Sequence, residues 1–168
     1  MFLENKKISL VVDHPSWIKK YVLKFCDEIN KGSNNALFFS EYEKVQKGDI
    51  AFYLGCIKKT PKEILLRNKI NLVVHESALP KGRGFSPVTW QILEGKNEIP
   101  IHLIEMSNQI DEGNIILSDK IILNNYDLIN DIRRKQWNLT KKLCKKYLFE
   151  KYQSKNKVQF GKPTYYKK

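Results

Sequence analysis

The sequence predicts one α/β domain: a mostly parallel, twisted sheet flanked by helices, followed by a C-terminal helix and a short tail. Two observations predict it. Short β-branched runs alternate with segments whose apolar residues recur at helical spacing, the pattern of parallel strands joined by right-handed crossovers. The length of 168 residues, with 42% hydrophobic and 29% charged side chains, suits one soluble globular domain with a substantial core.

The elements follow in order. KKISLVVD (6–13) is a β-branched run expected as a buried strand. PSWIKKYVLKFCDEINKG then places Ile18, Tyr21, Val22, Phe25 and Ile29 on one helical face and stops at Gly32. NALFFS (35–40) and DIAFYLG (49–55) read as two further strands. At TPKE (60–63), Thr60 is the expected cap, Pro61 suits the first turn and Glu63 completes a capping box. INLVVH (70–75) is a fourth strand, with His75 at its carboxyl end, where ligands bind in open α/β sheets. SPVTWQILEG repeats the start and stop signals, with Ser86 as cap and Gly95 as the end. IPIHLIEM (99–106) and NIILSDKIIL (114–123) are strand-like. Residues 126–153 form a long amphipathic helix with Leu128, Ile132, Leu139, Leu143 and Leu148 among its apolar positions. The last stretch, SKNKVQFGKPTYYKK, is expected to be extended or loosely held.

Several classes are set aside at this stage. VVDHPSW stands where a dinucleotide fold would carry GxGxxG, and there is no Walker loop. No apolar stretch approaches the ~20 residues needed to cross a bilayer, and the first residues lack a secretory pattern. Cys26, Cys56 and Cys144 are odd in number and widely spaced, and read as reduced thiols of a cytoplasmic protein with neither disulfides nor a metal site. The net charge of +12 is uneven: Arg133 to Lys168 holds 13 basic residues against Glu150 alone, and the rest is neutral. Such a block attracts anions or simply solvates a helix face.

A histidine leaving a strand, a loop with Lys81, Gly82, Arg83 and Gly84, and an aspartate at Asp111 form the candidate chemistry. The loop reads either as a plain strand-to-helix turn or as a phosphate cradle, with glycine N–H groups, Lys81, Arg83 and the helix start converging on an anion. Trp17 and Trp90 are expected in the core, and His14 and His102 as structural residues.

In order and spacing, His75, Ser77, Leu79–Pro80, Arg83–Gly84, Pro87, Trp90 and Asp111–Gly113 make up a compound motif. It resembles the core of the formyltransferases that use 10-formyltetrahydrofolate, a family including glycinamide ribonucleotide, methionyl-tRNA and nucleotide-sugar N-formyltransferases. The similarity is strong over residues 50–125, and QFGKPTYY resembles the Gln-x-Gly-x-x-Thr-Tyr segment of sugar-modifying members. Two positions depart. The family asparagine two residues before the histidine is Val73, with Asn71 one further step down the strand face, and the family proline after the histidine is Glu76.

The resemblance implies a Rossmann-like domain over residues 1–153 with a basic tail at 154–168. It implies His75 and Asp111 as catalytic residues. Leu54, Gly55, Cys56, Ile57, Ile110 and Glu112 would contact the folate, and Ser77, Lys81, Arg83 and Gly84 the acceptor. The cosubstrate would be 10-formyltetrahydrofolate, with no metal. The chemistry suits these residue types: as an amine attacks the formyl carbon, charge grows on the formyl oxygen and a proton must travel from the amine to folate N10. Imidazole can donate to that oxygen near neutral pH, and a neighbouring carboxylate can orient it and take up the amine proton.

The first loop lacks the purine enzyme's glycine- and serine-containing phosphate segment, and 168 residues leave no room for the added tRNA domain of the methionyl-tRNA enzyme. The expected acceptor is therefore a nucleotide-linked amino sugar, for glycan or surface-polysaccharide synthesis. Nucleic acid and membranes are not expected partners, and the long helix leaves a homodimer open. The alternative is a degenerate formyltransferase fold whose basic, aromatic-bearing C-terminal region binds RNA or another polyanion.

Overall fold

The computed structural model describes residues 4–150 and 157–167. The chain forms two compact units, Met1–Val73 and Val74–Lys168.

In the first unit β1 (Lys7–Val11), α1 (Lys19–Asn30), β2 (Asn35–Phe39), β3 (Gly48–Tyr53), the short α2 (Lys62–Leu65) and most of β4 (Asn68–His75) alternate as expected. The strands lie in the order β2-β1-β3-β4, all parallel, with Leu10 opposite both Phe38 and Phe52. Ile8, Leu10, Val22, Phe25, Phe52 and Leu72 are almost wholly buried. Burial on both faces is why these strands read as unbroken apolar runs rather than alternating ones. One start signal fails. Pro61 keeps an extended backbone (φ −62°, ψ 152°), so the helix begins at Lys62 with no side-chain cap. Thr60 lies one residue too early to cap it and is buried.

In the second unit β5 (Arg83–Gly84), α3 (Pro87–Leu93), β6 (Glu98–Glu105), β7 (Ile115–Ile122), α4 (Ile129–Phe149) and β8 (Tyr165–Tyr166) follow. β6 and β7 pair antiparallel with an irregularity at Leu103/Ile104, the exception within the mostly parallel sheet that the sequence predicts. A connection of nine residues is too short to carry β7 back to a parallel start. α4 packs on both strands, burying Trp137, Thr140, Leu143, Cys144 and Leu148. It starts three residues later than its apolar pattern suggests. Asn124 and Asp127 close a turn of their own, with Asn124 N–H donating to Asp127 Oδ2 at 2.7 Å. Asp131 then accepts the Leu128 N–H at 3.2 Å, leaving Leu128 72% exposed at the cap rather than in the core. The predicted helical residues 151–153 lie outside the described residues. Ser86 precedes α3 in a left-handed conformation (φ 49°, ψ 44°) and makes no side-chain cap, whereas Gly95, at φ 77°, ends the helix as expected.

Within the tail, residues 157–167 are extended but not loose. Tyr165 and Tyr166 pair in parallel with Arg83 and Gly84, and Lys157 bridges Ile115. No helix among the described residues is long and apolar enough to cross a membrane.

Candidate active site

β4 delivers His75 at its carboxyl end, where the residue is buried. Its Nε2 lies 2.8 Å from the Gly82 carbonyl oxygen. A carbonyl only accepts, so Nε2 carries the proton and Nδ1 is the nitrogen that faces outward to a partner. That partner is Asp111, whose Oδ2 lies 3.4 Å from Nδ1. The same oxygen accepts the Gly84 N–H at 2.9 Å. Asp111 adopts φ 55°, a left-handed conformation that aspartate tolerates better than most residues. Two residues on, a Cβ on Gly113 would stand 1.6 Å from the Glu105 carbonyl oxygen. Only glycine lets this turn lie flat against the end of β6, and that contact fixes where the Asp111 carboxylate points.

The basic loop is held from within the chain. Gly82 N–H donates to Thr164 Oγ1 at 2.9 Å, and a Cβ on Gly82 or Gly84 would collide with Tyr166 at 2.7 or 2.5 Å. The close approach that these glycines permit is thus made by the C-terminal strand. Arg83 is 6% exposed, with Nη1 on Glu112 at 2.6 Å and Nη2 on Gln159 at 2.7 Å. Lys81 is exposed, and Ser77 is buried with its hydroxyl lacking a hydrogen-bond partner among the described residues. Trp90 is not a core residue. Its ring, 38% exposed, stacks on Tyr166 at 6.0 Å and its Nε1–H donates to the Lys167 carbonyl. Trp17 is likewise only half-buried, edge-on to Tyr21.

Two more titratable groups border the pair. Glu76 accepts from Gln136 Nε2 at 2.6 Å. Burial pushes its carboxyl above the usual range, opposed by that hydrogen bond and by His75, and reinforced by Asp111. Gln91 Nε2 donates to the Glu76 carbonyl, also at 2.6 Å. His102 meets Ser118 Oγ at 2.8 Å. Burial, with His75 nearby, pushes its imidazole down to about 4, so it is neutral at neutral pH.

In the first unit, the Asp13 carboxylate accepts the Ile57 and Lys58 N–H groups at 2.9 and 2.8 Å, fixing the turn that follows Leu54. Gly55 takes φ 67° there, and Gly55 and Ile57 are exposed while Leu54 is buried. The Cys56 thiol donates to the Val11 carbonyl, and burial pushes it up to about 12, the opposite of an activated nucleophile. Asn71 Nδ2 donates to the Leu65 carbonyl at 2.8 Å and serves the fold locally. Among the described residues no group of three or more His, Cys, Asp or Glu side chains is placed to hold a metal.

Residues 9–147 match the sequence profile of the formyl transferase family. The chain belongs to that family. Among curated proteins, this formyltransferase domain is 32% identical over 114 residues to the methionyl-tRNA formyltransferase of Prochlorococcus marinus, covering 67% of this chain and 34% of that protein. The chain thus spans about a third of the length of that relative. Among solved structures, the methionyl-tRNA formyltransferase from Clostridium thermocellum superposes with a TM-score of 0.70 at 22% identity, covering 95% of this chain and 71% of that one. The formyltransferase PseJ from Anoxybacillus kamchatkensis, in complex with UDP-4,6-dideoxy-4-formamido-L-AltNAc and tetrahydrofolate, superposes with a TM-score of 0.64 at 18% identity, covering 95% and 85%.

Four residues that shape the surroundings of His75 and Asp111 escaped the sequence reading. Glu76 was visible as a departure from the family proline, but its burial was not. Gln136 lies on the long helix with no local signal. Gln159 and Thr164 lie in QFGKPTYY, where the resemblance marked a segment but gave no side chain a task.

Proposed function

We propose that this domain transfers a formyl group from 10-formyltetrahydrofolate to a primary amine. The observation that carries the reading is the His75 Nδ1–Asp111 Oδ2 approach of 3.4 Å, with side chains only 6% and 11% exposed, on the residues of the family motif. The folate supplies the formyl group and leaves through N10. Because Nε2 holds its proton on the Gly82 carbonyl, His75 acts at the Nδ1 edge as an imidazolium: the second proton, on Nδ1, is donated to the oxygen on which negative charge grows and is then handed on. Asp111 orients the ring and takes up the amine proton. The amine nitrogen bonds to the formyl carbon, the bond from that carbon to N10 breaks, and the proton lost by the amine ends on N10. We assign folate contacts to Ile110 and Glu112, which flank Asp111, and, on the family resemblance alone, to Leu54–Ile57. Lys81 is the exposed charge for an acceptor phosphate, with Ser77, Arg83 and Gly84 shaping the loop behind it. This machinery falls within residues 1–153.

For the acceptor we favour a nucleotide-linked amino sugar, supported by the likeness of QFGKPTYY to sugar-modifying members and by a fold neighbour that holds a UDP-linked formamido sugar. A second reading, the amino group of methionyl-tRNA, is favoured by the curated relatives. The strongly basic α4 face, with Lys141, Lys142, Lys145 and Lys146, suits a polyanion.

Formyl transfer is measured with 10-formyltetrahydrofolate against a panel of nucleotide-linked amino sugars and against methionyl-tRNA. Turnover is expected with one acceptor class, and His75→Asn or Asp111→Asn should lower kcat by about 10²–10³-fold while the circular dichroism spectrum is kept. Full turnover in His75→Asn would overturn the reading, and turnover with methionyl-tRNA alone would replace the sugar acceptor.

A further inference from the structure

Residues 157–167 are hydrogen-bonded to the backbone behind both halves of the His75–Asp111 pair. Gln159 Nε2 donates to the Asp111 carbonyl at 2.7 Å and to the Gly113 carbonyl at 2.9 Å. Its Oε1 accepts from Arg83 Nη2 at 2.7 Å. Thr164 Oγ1 accepts the Gly82 N–H at 2.9 Å, and the carbonyl of the same Gly82 receives the His75 Nε2 proton. Arg83 and Gly84 are paired to Tyr165 and Tyr166, and the Gly84 N–H returns to Asp111 Oδ2. Tyr166 closes the far side, its hydroxyl on Glu94 at 3.0 Å and its ring on Trp90.

We infer that residues 157–167 are a strap that sets the catalytic geometry, with Gln159 and Thr164 as its positioning residues. Gln159 fixes the backbone of the Asp111 turn, and Thr164 fixes the peptide that holds the imidazole tautomer. Gly82 and Gly84 are glycines because the strap lies against them: a side chain at either position would meet Tyr166. Neither positioning residue touches the Nδ1–Oδ2 contact itself, so each acts through a group that does. Outer partners of this kind typically contribute 10–100-fold to function at metal sites, where a ligand's orientation is likewise set from behind. The catalytic part of this inference rests on the formyl-transfer reading; the mechanical part does not.

The test uses the full chain and three variants. Gln159→Glu keeps the acceptor for Arg83 but sets an oxygen against the Asp111 and Gly113 carbonyls. Thr164→Val keeps the shape and removes the acceptor, and Thr164→Ser restores it. Amide hydrogen exchange read by NMR should speed up about tenfold or more at Gly84 in Gln159→Glu and at Gly82 in Thr164→Val. The amides of Leu103 and Ile104 in β6 report that the core is intact and should not change. With 10-formyltetrahydrofolate and the acceptor found above, kcat should fall about 10–100-fold in both variants, with KM for the folate moved less than about threefold. Thr164→Ser should return to near wild type in both measurements. Unchanged exchange at Gly82 and Gly84 would overturn the strap. Faster exchange with undiminished kcat would overturn its positioning role. If the wild type formylates no acceptor, faster exchange still supports the strap, and the failure belongs to the formyl-transfer reading alone.

Discussion

Gly113→Ala tests whether the Asp-x-Gly turn is glycine-bearing for a steric reason. The added Cβ would lie 1.6 Å from the Glu105 carbonyl oxygen, 2.6 Å from its carbon and 3.3 Å from its Cα. All three are backbone atoms of β6, so no rotamer change relieves the clash. Reaching even 3.0 Å, a separation real Cβ contacts rarely undercut, requires the turn and the end of β6 to part by more than 1 Å. That movement strains the Glu105 N–H bond to the Asn114 carbonyl, now 3.0 Å, and shifts Asp111 two residues away. Overpacking of a rigid backbone site costs about 1–3 kcal/mol and sometimes more. With a lost backbone hydrogen bond of ~1 kcal/mol, we expect about 3 kcal/mol or more. For a chain of this size, that lowers Tm by roughly 6–12 °C. Gly95→Ala is the control. Gly95, unlike Gly113, takes a conformation unusual for L-residues, φ 77°, and has nothing within 4 Å, so only backbone strain of about 1–2 kcal/mol applies. Differential scanning calorimetry on both variants decides. If Gly113→Ala melts within about 2 °C of wild type, or no lower than Gly95→Ala, the steric account of the turn is wrong. In activity, a displacement of about 1 Å at a catalytic group can cost ~10²-fold, so the variant should also lose formyl transfer wherever the wild type shows it.

Three further expectations concern titration and reactivity. Burial raises the Glu76 carboxyl, so the folded state holds its proton longer than the unfolded one. Glu76 therefore contributes stability that is present below its unfolded value of ~4.3 and lost as pH rises through the raised folded value. In urea titrations, Glu76→Gln should gain on wild type from about pH 4 upward; a difference flat in pH would refute this. His102 has the opposite sign. Its imidazole is lowered to about 4, so its contribution is complete above ~6.5 and lost as pH falls through the folded value. His102→Asn should flatten the acid limb of the stability curve, and an unchanged limb would show that His102 is not held neutral. Burial raises the thiols of Cys26, Cys56 and Cys144. Ellman's reagent at pH 8 should label none of them within minutes in the native protein and all three in urea, so a thiol reacting at the rate of free cysteine would contradict their burial.

What the sequence made legible, and what it hid, divides along physical lines. The first strands and α1 were readable because a parallel strand buried on both faces must be apolar throughout, as at Leu10 and Phe52. α1 was readable because its buried positions recur at helical spacing. His75 and Asp111 were readable as a pair only through the motif's order and spacing; nothing local to either residue announces a partner 36 positions away. Errors of start, at Thr60 and Leu128, came from reading cap and periodicity signals without the turn geometry that competes with them, since an extended Pro61 and an Asn124–Asp127 turn each displace a helix start by one to three residues. The antiparallel β7 was hidden because strand direction depends on the length of the connection rather than on the strand's own composition.

The basic loop shows the deeper reason. From sequence, Gly82, Arg83 and Gly84 look like a cradle for an anion, because glycine permits close approach and arginine supplies charge. Both inferences about permission are sound, yet the approaching group is Tyr166 and the charge is matched by Glu112. Composition says that something comes close; it does not say whether that something is a ligand or the same chain returning 82 residues later. The strap has no apolar periodicity, and its strand of two residues is too short for propensity to register. Its information lies in which single donor or acceptor faces which backbone group. Gln159 is the sharpest case: its amide gives both protons to carbonyls of the Asp111 turn and its oxygen receives Arg83. With the second bond from Arg83, through Nε, that is four bonds at one residue that, by type alone, would have been assigned to solvent.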